Sequence, residues 1–130
     1  MLTQDRFLTG QTYKDFLKDA NEQLDLYQHH YNKTIISQED QAALNNIKSG
    51  LNILVITEVR CPDSAVVLPV LQKWTEQERN VILRILTRDD NLDVMDNYLT
   101  NGAQAIPKVA IFDEKFNEMG TWGPRPAHIQ

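Results

Sequence analysis

The chain has 130 residues, of which 42% are apolar and 24% charged, with a formal net charge of −5. These values describe one globular domain, residues 1–130, able to bury about two-thirds of its unfolded surface without a disulfide or metal. The acidic balance and the scattered Lys and Arg argue against nucleic acid or an anionic membrane surface as partner.

The first half reads as helical. Residues 12–31 place Tyr13, Phe16, Leu17, Ala20, Leu24, Tyr27 and Tyr31 at the three-four spacing of one apolar helix stripe. A second, weaker helix is expected from Gln38 to about Ser49, capped by Ser37 with Asp40 three residues on and closed by Gly50 in a left-handed conformation.

The period then changes. Leu51–Thr57 is short, β-branched and almost wholly apolar, the pattern of a strand covered on both faces. A helix is expected from Pro62 to about Arg79, with Pro62 in its first turn and Pro69 kinking its interior. Val81–Leu86 reads as a second strand. Asp90 or Asn91 caps a short helix that turns Leu92, Met95, Tyr98 and Leu99 inward and stops near Gly102. Lys108–Phe112 and Glu118–Trp122 read as strands joined by the turn Asp113–Asn117, which is too short for a crossover, so the pair is antiparallel. The first two strands, joined by a helix, are expected to be parallel. The order is a helical part, 1–50, and a β-α-β-α-β-β core, 51–130. The expected class is α/β: a three-layer sandwich with a central mixed four-stranded sheet and helices on both faces.

Cys61, the only cysteine, lies in Arg60-Cys61-Pro62-Asp63-Ser64, where the first strand hands over to a helix. The thiolate is the reactive form of cysteine, and the positive end of a helix dipole favours it. Arg60 adds a positive charge beside it, whereas Asp63 opposes it by charge or simply caps the helix. A lone cysteine is equally at home as a small buried hydrophobe. A single thiol excludes an intramolecular disulfide and fits a reducing cytoplasm. Three histidines (His29, His30 and His128) without clustering argue against a zinc site, and no metal or cofactor is implied. The first residues lack a signal-peptide pattern, and no apolar run reaches the ~20 residues of a membrane span.

These elements resemble the thioredoxin fold over roughly residues 50–124. A strand ends just before Cys61-Pro62-Asp63-Ser64, in the place of the family's Cys-x-x-Cys. Pro69 stands where the family has a kinking proline, and Ile106-Pro107 where it has a cis-proline; a hairpin follows. The strings Arg88-Asp89-Asp90-Asn91, Met95 to Gly102 and Gly120 to Pro126 are similar to a bacterial subgroup of thioredoxin-like proteins. The resemblance implies a nucleophilic Cys61 and an Ile106-Pro107 backbone that holds an extended substrate. It also marks departures. Ser64 replaces the resolving cysteine, Arg60 the usual tryptophan, and Val55 a buried acid. The family's final helix has no counterpart before Gln130: either the sequence stops short or the two N-terminal helices take over its packing. Trp122, Pro124, Arg125 and Pro126 read as a rigid turn, with Trp122 expected in the core and Arg125 a candidate partner contact.

The function expected is a monothiol thioredoxin-like redox protein exchanging thiols and disulfides through Cys61. Ser64 sits beside it, either as a hydrogen-bond partner of the thiolate or as a plain helix-start residue. Arg60, Pro62 and Asp63 support the site, and Ile106 and Pro107 bind the substrate, a protein or low-molecular-weight thiol or disulfide. Ser64 cannot attack a mixed disulfide, so an external thiol must resolve it. The alternatives are a non-catalytic binding module on the same scaffold, or a thiol redox sensor.

Overall fold

The computed structural model describes residues 2–47 and 49–124. The candidate contact Arg125, with Pro126 and His128, lies outside the described residues.

Four strands form one sheet: β1 (Leu51–Thr57), β2 (Val81–Thr87), β3 (Lys108–Asp113) and β4 (Glu118–Trp122). Their order is β2-β1-β3-β4. The β1–β2 pair is parallel, with Leu51 opposite Val81, and β3 runs antiparallel to both β1 and β4. The mixed sheet expected from the connections is therefore present. Central β1 is apolar because both of its faces are covered, and its residues sort by parity. Ile53 and Val55 join one core cluster, and Leu54 and Ile56 the other.

Helices cover both faces. The first cluster packs under α2 (Tyr13–Leu17), α3 (Leu24–Lys33) and α5 (Ser64–Thr75), through Phe16, Tyr27, Ala65 and Leu68. The second packs under α1 (Gln4–Leu8) and α6 (Leu92–Met95), through Phe7, Val94 and Met95. The remaining helix is α4 (Gln38–Asn45). Two polar contacts fasten α3 to α5: Lys73 Nζ donates to the Tyr31 carbonyl at 2.8 Å, and the Tyr31 hydroxyl donates to Glu76.

Several boundaries differ from the sequence expectation. The single helix over 12–31 is two helices joined by a 3-10 turn at Asn21–Gln23. Asn21 takes a left-handed φ of 45°, which Asn tolerates better than most residues. The apolar stripe survives the break, since Phe16, Ala20 and Tyr27 all enter the first cluster with Tyr13, Leu17 and Leu24 against them. Helix α1 was not anticipated; Thr3 caps it by accepting from the Arg6 N–H at 3.1 Å. Ser37 caps α4 by accepting from the Asp40 N–H at 3.0 Å. That helix ends at Asn45, short of Ser49, and Gly50 is not left-handed. The Asn46 and Ile47 N–H groups already satisfy the last carbonyls.

Helix α5 spans Ser64–Thr75 rather than 62–79, so Pro62 precedes it, while Pro69 lies buried in its interior. In and after α6, Met95 is buried but Leu92 and Leu99 are exposed, and Val94 fills the place expected of them. The short α6 stops at Met95; the turn toward β3 uses Asn101 and Gly102, both at positive φ. Trp122, expected in the core, is 56% exposed: β4 is an edge strand and all five of its residues are open to solvent. Among the described residues no helix is long and apolar enough to cross a membrane, and no cluster of His, Cys, Asp and Glu is placed to hold a metal ion.

Candidate functional site

The site grows from the end of β1. After Thr57 the chain turns through Glu58–Asp63 and enters α5. The turn is closed by its own backbone. The Cys61 N–H donates to the Glu58 carbonyl at 3.1 Å, and the Cys61 carbonyl accepts from the Ser64 and Ala65 N–H groups at 3.1 and 3.3 Å. Cys61 thus accepts the first helix-type bond of α5 and stands at its positive end.

Cys61 is half-buried, and its sulfur lies 3.9 Å from the Ile106 carbonyl oxygen. The Ile106–Pro107 peptide is cis, and Pro107 is fully buried. The structure therefore brings Cys61 and Ile106-Pro107 together across 45 residues of sequence. Beside them runs a groove of about 670 Å³, lined by Asp63, Val66, Val67, Pro107, Trp122 and Gly123 among others. Gly123 has a φ of +78°, and a Cβ there would stand 2.9 Å from the Pro107 carbonyl oxygen. Only a residue without a side chain allows the end of β4 to approach the Pro107 loop so closely.

The neighbours of Cys61 divide. Arg60, Pro62 and Asp63 are exposed, and Asp63 makes no capping bond with its side chain. Ser64 is fully buried, and its hydroxyl pairs with the Thr57 hydroxyl at the end of β1. Two polar groups that would be costly to bury alone satisfy each other there. Val55 is buried in the first core cluster. The Glu58 carboxylate accepts from the Asp89 N–H at 3.0 Å and ties the Cys61 turn to the turn after β2.

One residue at the site escaped the sequence reading. Tyr27 of α3 is fully buried, and its hydroxyl donates to the Val59 carbonyl at 2.8 Å. Burial, and then the negative charge of a Cys61 thiolate close by, push its ionisation well above the ordinary phenol range. The available signal was that a buried tyrosine seeks a hydrogen-bond partner. The stripe position of Tyr27 gave no hint that the partner would be the cysteine turn.

A family model described as Thioredoxin matches residues 10–130. Among solved structures, a protein of unknown function from Pseudomonas aeruginosa superposes with a TM-score of 0.82 at 24% identity, covering 98% of this chain and 80% of its own. A crystal structure of an HIV epitope-scaffold gives a TM-score of 0.81 at 26% identity, covering 95% of this chain and 77% of its own. No curated protein matches. With the family model spanning nearly the whole chain and the sheet, helices and Cys61 turn in the arrangement described, this protein belongs to the thioredoxin family.

Proposed function

We propose that this is a cytoplasmic monothiol redox protein, of a bacterial thioredoxin-like subgroup with a Cys-x-x-Ser site, that performs thiol–disulfide exchange through Cys61. The observation that supports the reading is a half-buried Cys61 at the head of α5, its sulfur 3.9 Å from the Ile106 carbonyl and next to an open groove.

In this reading the Cys61 thiolate attacks a substrate disulfide. A bond forms between Cys61 and one substrate sulfur, the substrate's S–S bond breaks, and the other sulfur leaves as a thiolate that takes a proton from water. A low-molecular-weight thiolate then attacks the substrate sulfur of the adduct. It forms a new disulfide with the substrate and releases Cys61 as thiolate. The Ser64 hydroxyl is no substitute for the external thiol, because an alcohol does not displace a thiolate from a disulfide. Arg60 supplies positive charge beside the sulfur, and Pro62 and Asp63 shape the start of α5. The Ile106-Pro107 backbone offers an extended substrate chain a strand-like partner.

The test is the rate at which iodoacetamide alkylates Cys61 at about pH 7, in the native protein and in the same protein unfolded in urea. The expected result is faster reaction in the native state. Reaction no faster than in the unfolded chain overturns the reading.

A second reading, a binding module that no longer turns over, is favoured by one feature. Val66 and Trp122 expose large apolar surface, 45% and 56%, on the wall of the groove. A Cys61→Ser variant that still captures every partner of the unmutated protein, without an adduct in either, would select it.

A further inference from the structure

We propose that Tyr27 is a positioning residue for Cys61: its hydroxyl reaches from α3 and holds, through the Val59 carbonyl, the turn that carries the sulfur. The inference rests on the redox reading of Cys61 and deepens it.

Three observations carry it. Tyr27 is fully buried, so its ring has one place to go, edge-on to Phe16 with centroids 6.2 Å apart. Its hydroxyl spends its donor on a backbone carbonyl two residues before Cys61, 32 residues away in sequence. Short-range backbone bonds, the Val59 side chain packed against the first core cluster, the contact of the Cys61 sulfur with the Ile106 carbonyl, and Glu58, which accepts from the Asp89 N–H, also hold the turn. Tyr27 and Glu58 therefore fasten the cysteine turn in two directions: one to α3, beside α5, the other to the connection after β2. These fastenings, on the adjacent residues Glu58 and Val59, fix the β1 end of the turn and so the approach of the sulfur to the positive end of α5. With one fastening gone, the turn samples positions where the dipole acts on the sulfur less. Any tyrosine is a donor in the neutral range, and the raised ionisation of Tyr27 extends that role above the ordinary phenol range.

The experiment is a Tyr27→Phe variant, which keeps the ring and removes only the hydroxyl. Glu58, Arg60 and Asp63, the charged groups of the turn itself, and Asp89, which faces Glu58 from the turn after β2, remain in both proteins. Iodoacetamide rates are measured at about pH 6 and about pH 10, the second lying above the ordinary thiol range. The expected result is alkylation about three- to fivefold slower at the lower pH, the scale of one net hydrogen bond, with rates that converge at the higher pH. A uniform change of either sign at both pH values, or no change, overturns the proposal, because Tyr27 would then only shield or pack. If the variant does not fold, the unmutated protein decides. Alkylating Cys61 should move the ring resonances of Tyr27 more than those of Tyr98, on the other face of the sheet, and equal shifts overturn the proposal. Failure of the redox reading is separate: it appears as an unmutated native protein no more reactive than the unfolded chain.

Discussion

Strands β1 and β4 belong to one sheet and have opposite surroundings. Six of the seven β1 residues are buried, whereas all five β4 residues are exposed. β1 is almost wholly apolar, whereas β4 has only Met119 and Trp122 as large apolar side chains. Position in the sheet matches that difference. β1 lies between β2 and β3 with helices over both faces, while β4 has a neighbour on one edge only. β1 serves stability and delivers the chain to the Cys61 turn. β4 leaves Trp122 on the groove wall and, through Gly123, meets the Pro107 loop. Apolar surface is tied up in the first strand and left available in the second.

Truncation separates the two strands most. Leu54→Ala in β1 removes a fully buried side chain and should cost about 2–5 kcal/mol by urea unfolding. Trp122→Ala in β4 removes a larger side chain and should cost about 1 kcal/mol or less, since most of its surface already meets water. Equal losses would break the contrast.

A smaller effect is expected where β1 hands over to α5. Thr57→Val leaves the buried Ser64 hydroxyl without its partner and should cost about 1–3 kcal/mol. Adding Ser64→Ala should return part of that loss, because no polar group is then stranded. A double variant as unstable as the sum of the single variants would mean that the two hydroxyls do not support each other.

The smallest effect concerns what holds the cover over β1. Arg6 of α1 pairs with Asp93 of α6 through 2.8 Å contacts to both carboxylate oxygens, in the open. The guanidinium holds the Asp93 carboxyl below its ordinary value of 3.8. A depressed carboxyl stabilises the fold above its unfolded value and loses that contribution as pH falls through the folded one. Stability of the unmutated protein should therefore drop more steeply below about pH 4 than that of Arg6→Met, and only slightly so, because the pair is exposed. Parallel acid limbs in urea titrations at successive pH values would count against a role for the pair.

Much of the core was legible because its signals are local. The β-branched run Leu51–Thr57, the short Asp113–Asn117 turn and the Ser37 cap each depend on neighbours in sequence, and the structure has all three. The apolar stripe from Tyr13 to Tyr31 was legible as a face but not as a rod. Periodicity reports which side is buried and is blind to a left-handed Asn21 that breaks the helix while keeping the side chains aligned. Trp122 misled for the opposite reason: its size suggested burial, and only the strand order reveals that nothing among the described residues covers it.

By itself the sequence determined the alternation of strand and helix, the sulfur at a strand-to-helix junction and a serine where a second thiol would sit. The first two follow from residue type and short spacing, and the third from the resemblance to the thioredoxin family. Tertiary structure alone decided that Ser64 turns toward Thr57 and that Tyr27 grips the cysteine turn. Each of these is a hydrogen bond or contact whose partner is chosen by how the layers stack, and the stacking is set by burying both faces of one sheet at once.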